Sequence, residues 1–368
     1  MNPMTQFCHN LDCPASGQVG QGNIPIHSQK ERRYRCTTCG RTFAATIGTP
    51  FYRLHQAVDL LTIVLTLLTH GCPVQATQAA FGLDERTVAA WLRRAGEHAQ
   101  HVHQHLVQHG QVDLQHVQAD ELWVKLVGRQ VWQAMAMAVP SRWWLGGVIS
   151  AQRDRHLIRA LVQQVRASAV TLAILVCVDG LASYITAFRQ GFRHRVLTGK
   201  PGRPRLAAEA GLLIGQVIKH HAKRRLTSVT RRIVQGSSAA IGRVLAATRS
   251  GNDINTAYIE RLNATFRGAL ACLVRRGRAI AHTETLLSAG MWLVGVSYNL
   301  CWYHNSLRER ALEGAALKWD ERTPAMAAGL TDHRWTMHEL LTYQVPLPAW
   351  VPPKRRGRPP KVNQVATP

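Results

Sequence analysis

Three short segments of the chain place single carboxylates where they could share one metal site. Asp120 lies in QADELWV, Asp179 in VCVDGLASY and Glu260 in NTAYIERLNATFR. Mg²⁺ prefers carboxylate oxygens, and two such ions about 3.5–4 Å apart can activate an attacking oxygen and stabilise a leaving oxygen. The segments therefore predict a site for two Mg²⁺ or Mn²⁺ ions and phosphoryl-transfer chemistry on a nucleic acid.

The segments around Asp120 and Asp179 predict the elements of one sheet. HVQADELWVKLV, QVWQAMAMAV and WWLGGVIS read as three consecutive antiparallel strands joined by short turns. A helix follows, then the continuous apolar run TLAILVCV, which predicts a strand buried on both faces, and then a helix in LASYITAFRQGF. This order predicts an α/β fold with a ribonuclease H-like core.

The position of each acid within its strand decides whether it can reach the site. Asp179 ends the buried strand, which is where ligands bind in open α/β sheets. Asp120 lies in the first strand and would meet Asp179 if the two strands are neighbours. Glu121 competes with Asp120, because adjacent residues of a strand point to opposite faces and only one of them would serve the site. The spacing does not choose between them.

The helix predicted around Glu260 has one apolar stripe and a polar border. At about 100° per residue, Glu260, Asn263 and Arg267 lie along one edge of the stripe. We expect Glu260 to bind metal, Arg267 to steady a phosphate and Asn263 to contact DNA. The alternative is that Glu260 and Arg267 are an ordinary surface acid and base. The stripe consists of Ile259, Leu262, Phe266, Leu270 and Leu273.

Four of the eight cysteines are grouped in two pairs near the N-terminus. Cys8 and Cys13 are followed after 22 residues by Cys36 and Cys39. Two short thiolate pairs joined by a hairpin are typical of a zinc ribbon with a tetrahedral structural Zn²⁺. The alternative is four unrelated buried thiols.

The next segment predicts helices. VQATQAAFGLDERTVAAWLRRAG gives a short helix, a break and a second helix that begins after Asp84, which indicates a helix-turn-helix. Arg86, Thr87, Arg93 and Arg94 would face outward and contact DNA. A three-helix structural cap with a basic face is the alternative.

The charge balance predicts a polyanionic partner. The chain has 45 Lys and Arg residues against 21 Asp and Glu residues, a net charge of +24. Its longest strongly apolar run, residues 60–68, is half the length of a membrane-spanning helix, and the N-terminus lacks a signal-peptide pattern. We therefore expect a cytoplasmic, nucleoid-associated protein without a membrane partner.

Two basic segments predict further DNA contacts. The insertion at about 196–250 is interpreted as a helical segment beside the active site, with a strand-like return through residues 229–234; a solvated basic face is the alternative. The tail at 354–361 resembles an AT-hook, in which Arg356 and Arg358 would follow the minor groove. A basic tail that holds DNA non-specifically is the alternative.

Several motifs together resemble the DDE transposases of bacterial insertion sequences, specifically the family of the first-described insertion sequence and its single-frame relatives. They are YRCTTCGRTFAATIGTPFYRLH, the helix-turn-helix, DELW, DGLASY, INTAYIERLNATFR, YNLCWYHNSLR and TPAMAAGLTDHRW. The resemblance implies catalytic roles for Asp120, Asp179 and Glu260, and a basic position at Arg267. It thus favours Asp120 over Glu121.

The resemblance also implies partners and domains. The partners would be double-stranded DNA, both transposon ends and target, and further copies of the chain in a synaptic complex. The predicted domains are a zinc ribbon (1–48), a helix-turn-helix domain (49–108), a catalytic domain (109–310) and a C-terminal extension (311–368). A transposase-derived DNA-binding regulator without catalysis is the main alternative function. A nuclease or resolvase that hydrolyses without joining is another.

Overall fold

The structure is a computed structural model that describes residues 1–109, 112–196, 204–223, 225–275, 277, 279–311, 317–348 and 350–352. The chain divides into two compact units. Unit 1 comprises Met1–Arg53 and the segment that begins at Gln344, and unit 2 is Leu54–Tyr343. The basic tail at 354–361, with Arg356 and Arg358, lies outside the described residues.

Unit 1 is built on three very short antiparallel strands, in the order β1-β2-β3. They are β1 (Ile26–Ser28), β2 (Arg33–Arg35) and β3 (Thr42–Ala44). Buried Tyr34 and Phe43 pack with the cysteine pairs to form its core. Gly40 has a φ of +73°, so the turn directly after Cys39 uses the left-handed conformation that glycine adopts readily. The side chain of Gln344 joins the C-terminal segment to the rest of the unit by donating to the Ala45 and Ile47 carbonyls.

Unit 2 contains a six-stranded mixed sheet in the order β11-β10-β7-β4-β5-β6. Strands β4, β5 and β6 form antiparallel pairs, β7 and β10 run parallel to β4, and β11 returns antiparallel to β10. Strands β8 and β9 pair separately. The strands are β4 (His116–Leu126), β5 (Arg129–Ala138), β6 (Trp144–Ser150), β7 (Leu175–Asp179), β8 (Arg193–Val196), β9 (Arg205–Ala208), β10 (Leu213–Ala222), β11 (Arg225–Gln235), β12 (Glu309–Arg310) and β13 (Trp319–Asp320).

Helices cover both faces of this sheet. Helices α4 and α5 pack on one face, and α7 and α8 pack on the other. The helices are α1 (Val58–Thr69), α2 (Val74–Phe81), α3 (Glu85–His109), α4 (Arg155–Ser168), α5 (Ala182–Gly191), α6 (Ser238–Ala247), α7 (Ala257–Ala269), α8 (Glu284–Leu300), α9 (Pro324–Ala327) and α10 (Met337–Thr342). Within the part of the chain that the structure describes, no helix has the length and apolar character needed to cross a membrane.

The α/β prediction and the three antiparallel strands are confirmed, and β7 lies beside β4 as the shared site requires. The helical interpretation of the basic insertion is wrong over β9, β10 and β11, which occupy most of its described part, whereas its strand-like return at 229–234 lies within β11 and α6 is helical. Val, Ile and Thr residues recur through LIGQVIKHHA and RLTSVTRRIVQ, and such β-branched residues favour strands. Helix α3 is also longer than a predicted recognition helix: it has 25 residues and packs against α8.

Candidate metal centre

Asp120, Asp179 and Glu260 line one cavity of about 330 Å³. Their elements are far apart in sequence and adjacent in the fold. Strand β4 pairs in parallel with β7 so that Ala119 lies opposite Val178, which places Asp120 and Asp179 at the next position of the register. Glu260 lies in the first turn of α7. The remaining lining residues are Gly180, Val217, Ile218, Lys219 and Thr256.

A buried amide fixes the N-terminus of α7 to β4. The Oε1 atom of Gln118 accepts from the Tyr258 and Ile259 backbone N–H groups, at 3.0 and 3.1 Å. Its Nε2 atom donates to the Asn255 carbonyl and to the Asn255 Oδ1 atom, at 2.8 and 3.2 Å. These bonds satisfy donors that the start of a helix leaves without intrahelical partners. Gln118 therefore positions Glu260, although nothing in its sequence context marked it.

Asn263 attaches α7 to β4 a second time. Its side chain is 2% exposed, and Nδ2 donates to Oδ2 of Asp120 at 2.8 Å. Its Oδ1 atom is buried without a hydrogen-bond partner among the described residues. The predicted DNA contact is therefore replaced by a contact with Asp120, because a side chain this buried is held against that carboxylate.

The carboxylates destabilise one another's charged forms. Burial raises the pKa of Asp120 to about 7, and the charges of Glu121, Asp179 and Glu260 act in the same direction. A divalent cation would remove this repulsion, and carboxylate oxygens are the ligands that Mg²⁺ and Mn²⁺ take. The donor set therefore fits such an ion. Oxygens of Asp120, Glu121 and Asp179 lie within 4.8 Å of one another and could hold one.

Glu121 reaches the site from the opposite side of β4. Its side chain is fully buried, forms an ion pair with Arg153 and accepts from the Tyr184 hydroxyl at 2.7 Å. The expectation that only one of the two adjacent acids could approach Asp179 is too strict, because both have an oxygen close to it. Only Asp120, however, lines the cavity with Asp179 and Glu260.

Asp179 and Glu260 each form an ion pair with a cation that the sequence does not single out. Arg153 donates to Oδ2 of Asp179 at 2.9 Å, and its guanidinium lies 5.1 Å from the centre of the Trp132 ring. Lys219 of β10 pairs with Oε1 of Glu260 at 2.5 Å. Lys219 lies in the basic run KHHAKRR, where many similar residues hide its role, and Arg153 lies directly before the α4 N-cap Asp154. Neither sequence context therefore marks its cation as a partner of the site carboxylates.

Arg267 is half-buried on α7 and makes no hydrogen bond or ion pair within the described residues. Burial lowers the pKa of Arg267, and the charge of Arg275 acts in the same direction. Its guanidinium is close enough to Asp120 for that carboxylate to counter part of this effect. Among the described residues it is therefore a cation without an ion-pair partner, beside the carboxylates that could hold a metal ion.

The four N-terminal cysteines form a second group that could hold a metal ion. The Sγ atoms of Cys8 and Cys39 are 3.7 Å apart, those of Cys13 and Cys36 are 4.0 Å apart, and all four lie within 4.8 Å. Tetrahedral zinc with Zn–S bonds of about 2.3 Å requires sulfur separations of about 3.8 Å. The geometry therefore fits Zn²⁺. His9 is not a member of the group.

The predicted outward face of α3 is only partly outward. Arg86 and Arg93 are exposed, whereas Thr87 and Arg94 are half-buried. Asp84 accepts from the Arg86 backbone N–H at 2.8 Å, as expected of a residue that caps the helix.

Comparison with known proteins adds no identification. No protein-family model matches the chain, and no curated protein matches it significantly.

Proposed function

We propose that this chain is a DDE-type transposase that cleaves DNA at transposon ends and joins them to target DNA. The observation that carries the proposal is the cavity in which Asp120, Asp179 and Glu260 meet from β4, β7 and α7. The sheet order supports it, because three antiparallel strands followed by a parallel strand beside the first are expected of a ribonuclease H-like core. The charge of +24 is consistent with a DNA partner.

Each residue of the site has a separate role in the proposed reaction. When bound, divalent ions would activate the attacking oxygen and stabilise the leaving oxygen. Asp120, Asp179 and Glu260 would hold them, while Gln118 and Asn263 keep α7 and β4 in register. Arg267 would donate to a phosphate oxygen and favour the negative charge that develops there. Lys219 would exchange its pairing with Glu260 for a phosphate contact.

The four cysteines, α1–α3 and the tail supply the proposed DNA-binding parts. A zinc ribbon around Cys8, Cys13, Cys36 and Cys39 and the arginines Arg86, Arg93 and Arg94 would read transposon ends. Such an enzyme acts on paired ends, so we expect more than one copy in the active complex.

A joining assay tests the proposal. The substrate is an oligonucleotide duplex made from the DNA that flanks the gene, incubated with supercoiled target DNA and Mg²⁺. We expect joined products from the unaltered protein and from Asp253→Asn, whose exposed carboxylate lies outside the cavity. Asp179→Asn should retain DNA binding and lose joining. Unimpaired joining by Asp179→Asn would contradict the assignment.

The same assay separates the alternatives. Sequence-specific binding without nicking in Mg²⁺ or Mn²⁺ would favour a transposase-derived regulator. Cleavage without joining would favour a nuclease.

A further inference from the structure

Helix α7 presents two flanks on either side of its buried stripe. Glu260 and Arg267 lie on the flank that faces the metal centre. Tyr258 and Arg261, three residues apart, lie on the other flank, because each residue turns the helix by about 100°. The second flank has no part in the metal centre, and it faces a separate group of cations.

Arg142, Tyr258, Arg261, His304 and Ser306 make up this group, which we call the Arg142 cluster. Arg142 lies in the turn between β5 and β6, and its guanidinium is 4.0 Å from the centre of the Tyr258 ring. It donates to the Val139 carbonyl and to the Ser306 hydroxyl. The His304 ring in turn lies 3.0 Å from that hydroxyl. Residues from three distant parts of the chain therefore converge here.

The positive charge of the cluster is uncompensated. Neither Arg142 nor Arg261 has a carboxylate partner in the described part of the chain. Burial lowers the pKa of Arg142, and burial together with the charges of Arg142 and Arg261 lowers the pKa of His304. A partly buried cation without a counterion is unfavourable. An anion bound from outside would supply the missing charge.

The backbone at Arg142 is also held in an unfavourable conformation. Its φ is +57°, in the left-handed region that non-glycine residues rarely adopt. Strain of this kind persists where the surrounding structure fixes it and is concentrated at binding sites. The strained residue is the same Arg142 whose guanidinium lies over the Tyr258 ring and donates to the Val139 carbonyl.

We propose that the Arg142 cluster binds a backbone phosphate of the DNA whose reacting phosphate lies at the metal centre. This inference rests on the proposed function. Two guanidinium groups and a hydroxyl provide several hydrogen-bond donors, and arginine forks match phosphate oxygens. Between the two flanks, the exposed surface of α7 carries Ala257, Ala264 and Gly268, so no bulky side chain there holds a DNA strand away.

The width of α7 also sets how far along the DNA strand the phosphate at the Arg142 cluster lies from the reacting phosphate. A helix is about 10–12 Å across with its side chains, and each strand of duplex DNA rises about 3.4 Å per nucleotide along the duplex axis. A strand that crosses α7 would therefore place a phosphate a few nucleotides from the reacting one at the Arg142 cluster.

The test is the salt dependence of binding to a labelled duplex of arbitrary sequence, because a phosphate contact carries no sequence information. Fluorescence anisotropy gives the affinity at several salt concentrations. We expect Arg261→Met to reduce the magnitude of the slope of log K against log salt by about 0.9, the value for one lost phosphate contact. Arg142→Met should reduce the slope by a similar amount, and Arg142→Lys should keep most of the slope of the unaltered protein.

Arg159→Met is the matched control. Arg159 is exposed on α4, which covers the opposite face of the sheet, and it forms no hydrogen bond or ion pair with another described side chain. Its substitution removes the same charge and should leave the slope unchanged. Arg261 likewise has no side-chain partner among the described residues, so Arg261→Met should fold even if Arg142→Met does not.

The outcomes separate this inference from the proposed function. If the unaltered protein binds duplex DNA and Arg261→Met has the slope of Arg159→Met, the phosphate site is wrong and the transposase proposal stands. If the unaltered protein does not bind duplex DNA at all, both are wrong. A reduced slope for Arg261→Met together with an unchanged slope for Arg159→Met supports the phosphate site.

Discussion

Glu121 and Asp120 are neighbours in sequence but have different chemical surroundings. Asp120 lines the cavity and receives neutral donors, the Asn263 amide and the Glu121 backbone N–H. Glu121 is bound by the Arg153 guanidinium and the Tyr184 hydroxyl. Asp179 and Glu260 also pair with cations, but both line the cavity, whereas Glu121 does not. Glu121 therefore acts as an anchor for Arg153, which in turn orients Asp179.

Glu121→Gln tests this distinction. We expect the metal affinity to fall by less than about tenfold, below the 10–100-fold typical of groups that directly orient a metal ligand. The free energy of unfolding should fall by about 1–3 kcal/mol. This is no more than the smallest loss expected when one partner of a buried ion pair is removed, because Arg153 is itself partly exposed. Calorimetric titration with Mn²⁺ and urea unfolding give the two quantities.

Asp120→Asn is the matched variant, since it removes one charge from the adjacent position. It should abolish Mn²⁺ binding. If Glu121→Gln abolished binding as well, Glu121 would be a ligand rather than an anchor.

His103 makes folding stability depend on pH. Its ring is buried against Trp143, Trp144 and Trp292. Burial lowers the pKa of His103 from 6.5 to about 4. Between those values the unfolded chain binds a proton that the folded chain does not. Stability should therefore rise with pH through this window and fall as the pH drops from about 6.5 towards 4.

His103→Leu should flatten this part of the stability profile, measured by urea unfolding at a series of pH values. The slope is the readout, because losing the bond to the Leu145 carbonyl can change the absolute stability. His101→Leu, at an exposed position of the same helix, should leave the slope unchanged. Equal slopes for His103→Leu and the unaltered protein would contradict the assignment.

At the scale of elements, α7 and β4 are held in register by two buried amides. Gln118 and Asp120 are two residues apart on the strand, a distance of about 6.6 Å. Their partners on α7, the N–H groups of Tyr258 and Ile259 and the side chain of Asn263, are four to five residues apart, about 6–7.5 Å along a helix axis. These spacings match. A slip of α7 by one residue would break both attachments and move Glu260 relative to Asp120.

Gln118→Leu should therefore impair the metal centre as well as the fold. It leaves the Tyr258 and Ile259 N–H groups without their buried acceptor, and we expect a loss of about 2–3 kcal/mol in the free energy of unfolding. Joining activity should fall because Glu260 is no longer held. Urea unfolding and the joining assay measure the two effects.

Gln133→Leu is the control on the neighbouring strand. Gln133 is equally buried, but its Oε1 atom has no partner among the described residues, so an apolar replacement should be nearly neutral. If Gln133→Leu destabilised the protein and lowered joining as much as Gln118→Leu, the effect would come from sheet packing rather than from the register of α7.

The elements differed in how far their sequences determined them. Strands β4, β5 and β6 were predictable because short turns separate strand-like runs, and β7 because its apolar run is continuous. In the β10–β11 hairpin, the sequence predicts only the strand-like return at 229–234, because basic residues interrupt the β-branched pattern over the rest of the hairpin. Partnerships such as Gln118 with α7 depend on residues about 140 positions apart, which local patterns do not encode.

At the scale of the molecule, the two units depend on different sources of stability. Unit 2 has a six-stranded sheet covered on both faces. Unit 1 has three strands of three residues each and a small core in which three of the four clustered cysteines are deeply buried. A core of that size contributes little by itself, and small domains of this kind commonly depend on a metal ion. Folding of unit 1 should therefore depend on zinc.

Removing the metal should unfold unit 1 and leave unit 2 folded. We expect the purified protein to contain one zinc ion, and a chelator or Cys36→Ser to release it. Segment-resolved hydrogen exchange should then show lost protection in β1–β3 and retained protection in β4 and β7. Cys72→Ser, at a half-buried thiol outside the cluster, should keep its zinc and the original protection pattern. Retained protection in β1–β3 after complete zinc removal would show that the cysteines do not stabilise the fold through a metal.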